Sequence, residues 1–409
     1  MVFKFYFDIL LEKFKSGIIY QYLLIALAFL LPLTVFGANL VIVIIVILWL
    51  FSGNYKAKYY EIMSSRLLIA SIIFFGLHLV GLIWTEDIDW GLHIVHKMWY
   101  FLLLLPVLHT IVSKKYIKYY LTAFLLSITI TEIFSYLIWF EVIKPFKNAF
   151  VHNPTPFMSH VSYNPILTFA IYLVIHEVFL NKNLDKVKFF LYSLFAITMT
   201  FNMFITGGRA GQVMFFSMIG ILIFQFFNSE KVKSLLAILV ILPAIFFSAY
   251  HTSDLFNKRV NQVIENIQVY ETNNMTDVGK RITFALNSWE IITNNPIIGV
   301  GTGDFPIEYK KISILNKNSE FPSPTNPHNM YTLVLVQLGF VGLISMLSIF
   351  YYQIKLSRQS SNPFIRDVGI TLPLLFLVIM FSDSYLLGHY TTLLYVFFSS
   401  FLYKNFEKY

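Results

Sequence analysis

GANLVIVIIVILWLFS, residues 37–52, contains no charged side chain and a single amide, Asn39. A run this long and this apolar is either a fully buried helix or a membrane crossing. The rest of the chain decides between them, because comparable runs recur at 18–35, 66–84, 94–113, 119–140, 164–180, 189–205, 211–227, 234–251, 330–352, 368–383 and 390–403. With residues 37–52 they make twelve. The 409 residues are 57% hydrophobic and only 13% charged, with mean hydropathy +0.67. No soluble domain hides that much apolar surface, whereas a bilayer does. The expectation is an all-α polytopic membrane protein of about twelve helices. Aromatic residues at 18% suit lipid contact and interfacial belts. The first run starts well inside the chain and lacks a small-residue cleavage site, so it is read as a span and not a signal peptide. With no Cys, neither disulfides nor thiolate metal sites enter the reading.

The net charge of +8 does not point to nucleic acid; its distribution gives the topology. With the first end inside, inner segments carry nineteen Lys and Arg, among them Lys4, Lys13, Lys15, Lys56, Lys114, Lys186, Lys231, Arg358 and Lys408. Outer segments carry eleven, seven of them in one long loop that the positive-inside rule largely exempts. Both ends are therefore expected inside. Three stretches follow within one membrane domain: residues 1–251 with nine helices, an outer loop over 252–329 with amphipathic helices, and 330–409 with three more helices.

The loop has its own pattern. A half-polar helix is expected through Gln262–Ile267. A second runs from Thr276 or Asp277 to about Asn294, with Asp277 as N-cap and Ile282, Leu286, Trp289 and Ile292 at helical spacing. Pro296 and the run Gly299-Val300-Gly301-Thr302-Gly303 end it. That run lacks the GxGxxG spacing of a nucleotide fold and reads as a turn. Pro322, Pro324 and Pro327 stiffen the return to the membrane.

Three polar residues stand out at the outer side. Arg209 lies in Thr206-Gly207-Gly208-Arg209-Ala210-Gly211-Gln212, a connection too short for an arginine to wander. Its glycines admit a backbone or ligand closely, and a helix starting near Ala210 would aim free N–H groups at an anion. Against this stands the plainer reading of a snorkelling arginine. Arg281, beside Lys280, is by itself an ordinary solvated residue of an amphipathic helix, although it shares that helix with Trp289. His328 sits in Asn326-Pro327-His328-Asn329 at the mouth of a span. There a helix N-terminus and nearby arginines disfavour imidazolium and leave a ring able to accept a proton. The other outer histidines, His93, His96, His152, His160, His251 and His389, lack that setting. Glu132 and Glu177, in or near spans, are either functional or paired within the bundle. There is no HExxH, GxSxG or P-loop, and no paired outer Asp for a hard cation. A reaction at a pyrophosphate without metal would need arginines to neutralise the leaving group. No cofactor is expected.

TGGRAGQ, then KRITFALNSWEIITNNPIIGVGTGDF, then NPHNMYTLVLVQLGFVGL, resembles the O-antigen ligase and polymerase superfamily of Gram-negative bacteria, over about 200–345. The order of the motifs, the loop position and the helix count are similar to the ligase branch. The resemblance implies a GT-C-like glycosyltransferase in the inner membrane with a periplasmic site. It implies transfer of a glycan from undecaprenyl pyrophosphate to the lipid A core. By resemblance, Arg209 and Arg281 bind the pyrophosphate and His328 serves the acceptor hydroxyl, with Gly207, Gly208, Gln212, Asn326, Asn329 and Trp289 in support. Two other readings stay open. A polymerase would use a second lipid-linked glycan as acceptor. A glycolipid flippase should carry charge deep in its spans and show repeat symmetry; here the notable charge is at the outer surface.

Overall fold

The computed structural model describes residues 17–147, 149–228, 230–316 and 324–406. Lys4, Lys13, Lys15, Lys317, Pro322 and Lys408 lie outside them. Among the described residues there is no strand, only an isolated bridge between Phe150 and Asn153. The helices are α1 (Ile18–Leu30), α2 (Val35–Phe51), α3 (Tyr55–Ser64), α4 (Arg66–Val80), α5 (Ile88–Ile111), α6 (Ile117–Trp139), α7 (His160–Leu180), α8 (Lys186–Ile205), α9 (Arg209–Phe227) and α10 (Lys231–Thr252). They continue with α11 (Asp254–Gln268), α12 (Asp277–Asn294), α13 (Phe305–Leu315), α14 (Met330–Arg358), α15 (Pro363–Ile379) and α16 (His389–Leu402).

Each of the twelve apolar runs falls on a helix. Eight helices of the described residues are long and apolar enough to cross a membrane, and nine if α2 and α3, bent by 116°, count as one. The chain is thus an all-helical polytopic membrane protein. Helices α1, α15 and α16, of 13, 17 and 14 residues, are shorter than a bilayer's hydrocarbon core requires of a straight span.

Burial sorts the helices. α7 is 72% buried and forms the hub, whereas α10 is 11% buried and presents its Leu, Ile and Val side chains outward, as a lipid-facing helix does. α9 can lie directly on α7 because Gly208 and Gly211 have no side chain. A Cβ at Gly208 would sit 2.7 Å from the His160 carbonyl oxygen, and one at Gly211 would sit 2.7 Å from the Asn164 backbone. Polar groups stitch this crossing: Asn164 Nδ2 donates to the Gly208 carbonyl and Thr168 Oγ1 to that of Gly211. α16 is buried along nearly its whole length, tied through Tyr395 and Ser399 to Gln353 of α14.

The connections sort to two ends as the charge count expects. At one end lie 112–118, 181–183, 359–362 and 403–406, lining one bowl, and Glu61 reaches the same place through Lys404. At the other end lie the α4–α5 turn, Gly207–Gly208, the long loop and the α15–α16 connection, tied to one another by hydrogen bonds and ion pairs.

The loop is not a loose flap. Its helices α12 and α13 build a small core, Phe284, Ile291, Phe305, Tyr309 and Ile312, against Leu333 and Val336 of α14. Two details correct the sequence reading. Thr276, not Asp277, is the N-cap of α12, its Oγ1 accepting from the Gly279 N–H. The buried face of α12 is Thr283, Phe284, Asn287, Ser288, Ile291 and Ile292, while Leu286 and Trp289 are about 60% exposed. The periodicity picked the larger apolar side chains, but the face that docks is the one carrying Phe284 and Ile291 onto Phe305, Tyr309 and α14, and it takes Thr283, Asn287 and Ser288 inward with it.

The glycine run does more than turn. α14 is kinked at Gly339, whose φ of 60° breaks the helical ladder. The segment 296–301 fills the break. Val300 and Gly301 donate to the Val336 and Gln337 carbonyls, and Pro296 and Ile297 accept from Phe340 and Val341. Just beyond, Thr302 Oγ1 donates to the His78 carbonyl. Asp304 is buried, accepting from Thr85 Oγ1 and from the backbone N–H groups of Glu86 and Asp87. The loop is therefore clamped to α4, α5 and α14 together.

Candidate active site

Arg209 is the first residue of α9. The strand of backbone before it is pinned from several sides. Thr206 Oγ1 donates to Asn164 Oδ1, and the Gly207 N–H donates to Asn153 Oδ1 at 3.0 Å. The guanidinium therefore leaves a fixed backbone at a helix N-terminus, where N–H groups favour an anion. It lies 3.8 Å from the Asp277 carboxylate at the start of α12. Of the three glycines read as admitting a ligand, Gly208 and Gly211 are spent on helix packing, and only Gly207 faces the site.

Arg281 sits one turn further along α12, on the same face as Asp277. Its Nη1 donates to the Ser382 carbonyl at 2.8 Å. The next residue, Asp383, faces the third group: His328 Nδ1 lies 3.4 Å from Asp383 Oδ1. The His328 backbone has φ 56°, a left-handed conformation that costs a non-glycine residue about 1–3 kcal/mol. Three contacts hold it there. The His328 N–H donates to Asn326 Oδ1, the ring stacks on Phe284 of α12, and Asn326 itself bonds Asp383 and Ser384. Arg209, Arg281 and His328 are thus gathered around the first half of α12, directly or through one intervening residue.

The supporting residues divide. Asn326 belongs to the site as the brace of His328. Asn329 is the N-cap of α14, accepting from Tyr331 and Thr332 N–H groups. Gln212 is buried and donates to the Thr206 carbonyl. Trp289 stands on the exposed face of α12, two turns beyond Arg281, and makes no contact with the cluster.

Two residues of this site were not found in the sequence. Asp383 lies just past α15. Burial raises its carboxyl, but the His328 hydrogen bond, the Ser384 N–H and the charges of His328 and Arg281 outweigh that and hold it below its ordinary value. The reading of His328 from sequence counted only positive neighbours; here a counter-charge faces the ring. Arg259, on α11, is the other. A guanidinium nitrogen lies 3.6 Å from where a Cβ on Gly207 would be, and its charge is felt at both Arg209 and His160. His160 in turn bonds Asn153 at 2.8 Å, so it borders the site that the sequence had denied it. Three arginines therefore share the site with two carboxylates, Asp277 and Asp383, leaving an excess of positive charge. Among the described residues no three His, Asp or Glu side chains gather as metal ligands.

Residues 194–347 match the family model of O-Antigen ligase. That segment is similar to the O-antigen ligase and polymerase superfamily. Its members are glycosyltransferase-like enzymes of ligase or polymerase type. The boundaries nearly coincide with the likeness over 200–345 read from the motifs, and they enclose Arg209, Arg259, Arg281 and His328 while leaving out Asp383 and Asn153. No curated protein matches the chain.

Proposed function

We propose that this membrane protein transfers a glycan from undecaprenyl pyrophosphate to the lipid A core, on the periplasmic face of the inner membrane, with inversion and without a metal. The observation that carries the reading is the convergence of Arg209, Arg281 and His328 on α12 inside the O-antigen ligase segment. In this reading all twelve helices cross the membrane in a GT-C-like arrangement, the loop over 252–329 is periplasmic, and 1–251 and 330–409 form one membrane domain around it.

The acceptor hydroxyl attacks the anomeric carbon from the side opposite the pyrophosphate. His328 Nε2 takes the hydroxyl proton while the C–O bond to the pyrophosphate breaks. Asp383 at Nδ1 orients the ring and favours the imidazolium that forms. The electron pair leaves with the pyrophosphate, where Arg209, Arg281 and Arg259 meet the developing charge. An apolar groove of about 1260 Å³ supports a polyprenyl donor. It runs between α7, α8, α9 and α10, from Phe179 and Phe189 at one end to Ser253, Asp254 and Lys258 at the other, beside the helix that carries Arg259.

The test is reconstitution. Purified chain supplied with lipid-linked glycan and lipid A-core should yield capped lipid A-core and free undecaprenyl pyrophosphate, and activity should persist in excess EDTA. Elongation of the lipid-linked glycan instead would make it a polymerase, and activity restored only by a divalent cation would refute the metal-free reaction.

A further inference from the structure

The end of the bundle opposite Arg209 holds a second recess that the transfer reaction does not use. α9 runs about 27 Å from Arg209 to Phe227, and around its far end opens a bowl of about 1450 Å³. The rim carries Lys114, Lys118 and Lys182, all exposed and none in an ion pair among the described residues. Of the other charges lining the bowl, Lys404, Arg366 and Asp367 are already paired, while Glu177 keeps its negative charge against the three lysines. Lys404 pairs with Glu61 and donates to the His109 carbonyl. Arg366 pairs with Asp367, and the Glu177 carboxylate accepts from Asn181. The starts of α6 and α15 open on this space, but so do the ends of α7, α9, α14 and α16, so helix dipoles add no net positive field and the three lysines carry the charge.

Lysines at this end of a membrane protein are expected from charge bias alone. One observation goes further: the lysines surround a recess, not a flat surface. Below it His176 is 96% buried, with one ring nitrogen 3.4 Å from Asp367. The walls between floor and rim are apolar, with Leu121, Phe224, Leu374 and Leu402. Cations at the mouth and hydrocarbon on the walls match a phosphate headgroup with its acyl chains.

We propose that this bowl binds a phosphate group, supplied by an anionic lipid of the leaflet on that side. The proposal is independent of the transfer chemistry. The test uses the full chain in detergent with phosphatidylglycerol, with phosphatidylcholine, or with inorganic phosphate alone, read by native mass spectrometry and by calorimetry. The expected result is retained phosphatidylglycerol, with at least tenfold weaker binding in a chain carrying Lys114→Ala, Lys118→Ala and Lys182→Ala. Lys231→Ala with Lys233→Ala, outside the bowl, should leave binding unchanged. Should the triple variant not fold, Lys182→Glu alone, at an exposed site, must still weaken binding. Saturable binding of inorganic phosphate without lipid retention would place a free phosphate in the same site. Equal retention of both lipids with no phosphate binding, or equal loss in the triple and the control variants, would overturn the proposal.

Discussion

The two glycine runs, Thr206–Gly211 and Gly299–Gly303, resemble each other in composition and differ in what their missing side chains permit. In the first, Gly208 and Gly211 let α9 lie on α7, so that Arg209 emerges from backbone that cannot shift. In the second, Gly301 and Gly303 press against the backbone of Thr85 and Gly91, and their left-handed φ values of 119° and 100° suit no other residue. The first run aims a side chain, and the second holds a loop in place. Position and neighbours, not glycine content, separate a site from a joint.

If that contrast is right, substitutions in the first region should cost activity and those in the second stability. The largest effect is expected at His328 and Arg209. His328→Ala should lower single-turnover transfer by roughly 10²–10⁴-fold with donor binding largely kept. Arg209→Lys keeps charge but loses the fork that holds two phosphate oxygens, and should lose most of the activity. Near-normal turnover in either variant breaks the assignment. Gly303→Ala would bring a Cβ to 2.5 Å from the Gly91 Cα, and a loss of about 1–3 kcal/mol is expected. It should appear as a lower melting temperature, with the folded fraction still active; an active-site defect at unchanged stability would erase the distinction between the runs.

Asp383→Asn probes a partner that orients and touches no substrate. Turnover should fall, by up to the roughly 10⁴-fold seen when a catalytic histidine base loses its orienting carboxylate. The folded-state pKa of Asp383 is depressed, so its contribution is present above the usual carboxylate value of about 3.9 and is lost only as pH falls through the lower, folded value. The stability gap between wild type and Asp383→Asn should therefore be full above the ordinary carboxylate value, narrow as pH falls below it, and close once pH has passed the lower, folded value. A gap that closes above the ordinary value would show the ion pair is not formed. The smallest effect belongs to Asn329→Ala, which removes only a helix cap and should cost about 1 kcal/mol with turnover nearly unchanged. A turnover collapse there would bring Asn329 back into the site.

Much of this was legible without coordinates. Long uncharged runs announce helices because a bilayer demands them, Arg209 and His328 stood out in short polar motifs at the ends of spans, and Arg281 only through the likeness to the ligases. Arg209, Arg281 and His328 each sit in a local motif. Asp383 and Arg259 do not. Asp383 reaches His328 across the connection between α15 and α16, and Arg281 meets Ser382 from 101 residues away. Arg259, in a half-polar helix beside Lys258, looked like any solvated basic residue until α11 was packed next to Gly207. The face of α12 was misjudged for a related reason. Asn287 and Ser288 are buried because they share the stripe of Phe284 and Ile291, which docks on α13 and α14, a contact that helical spacing alone does not register.

The stitch between residues 296–301 and the break in α14 has a consequence for how the molecule is made. Synthesis produces the earlier segment first, and its partners, 336–341, emerge about forty residues later. Until then the segment has nothing to bind, and α14, once inserted, exposes unpaired amides and carbonyls to hydrocarbon unless the waiting loop closes on it. Arg281 is held by Ser382, made later still. An incomplete chain on the ribosome therefore cannot assemble the cluster of Arg209, Arg281 and His328, which is complete only after the last helices have been made.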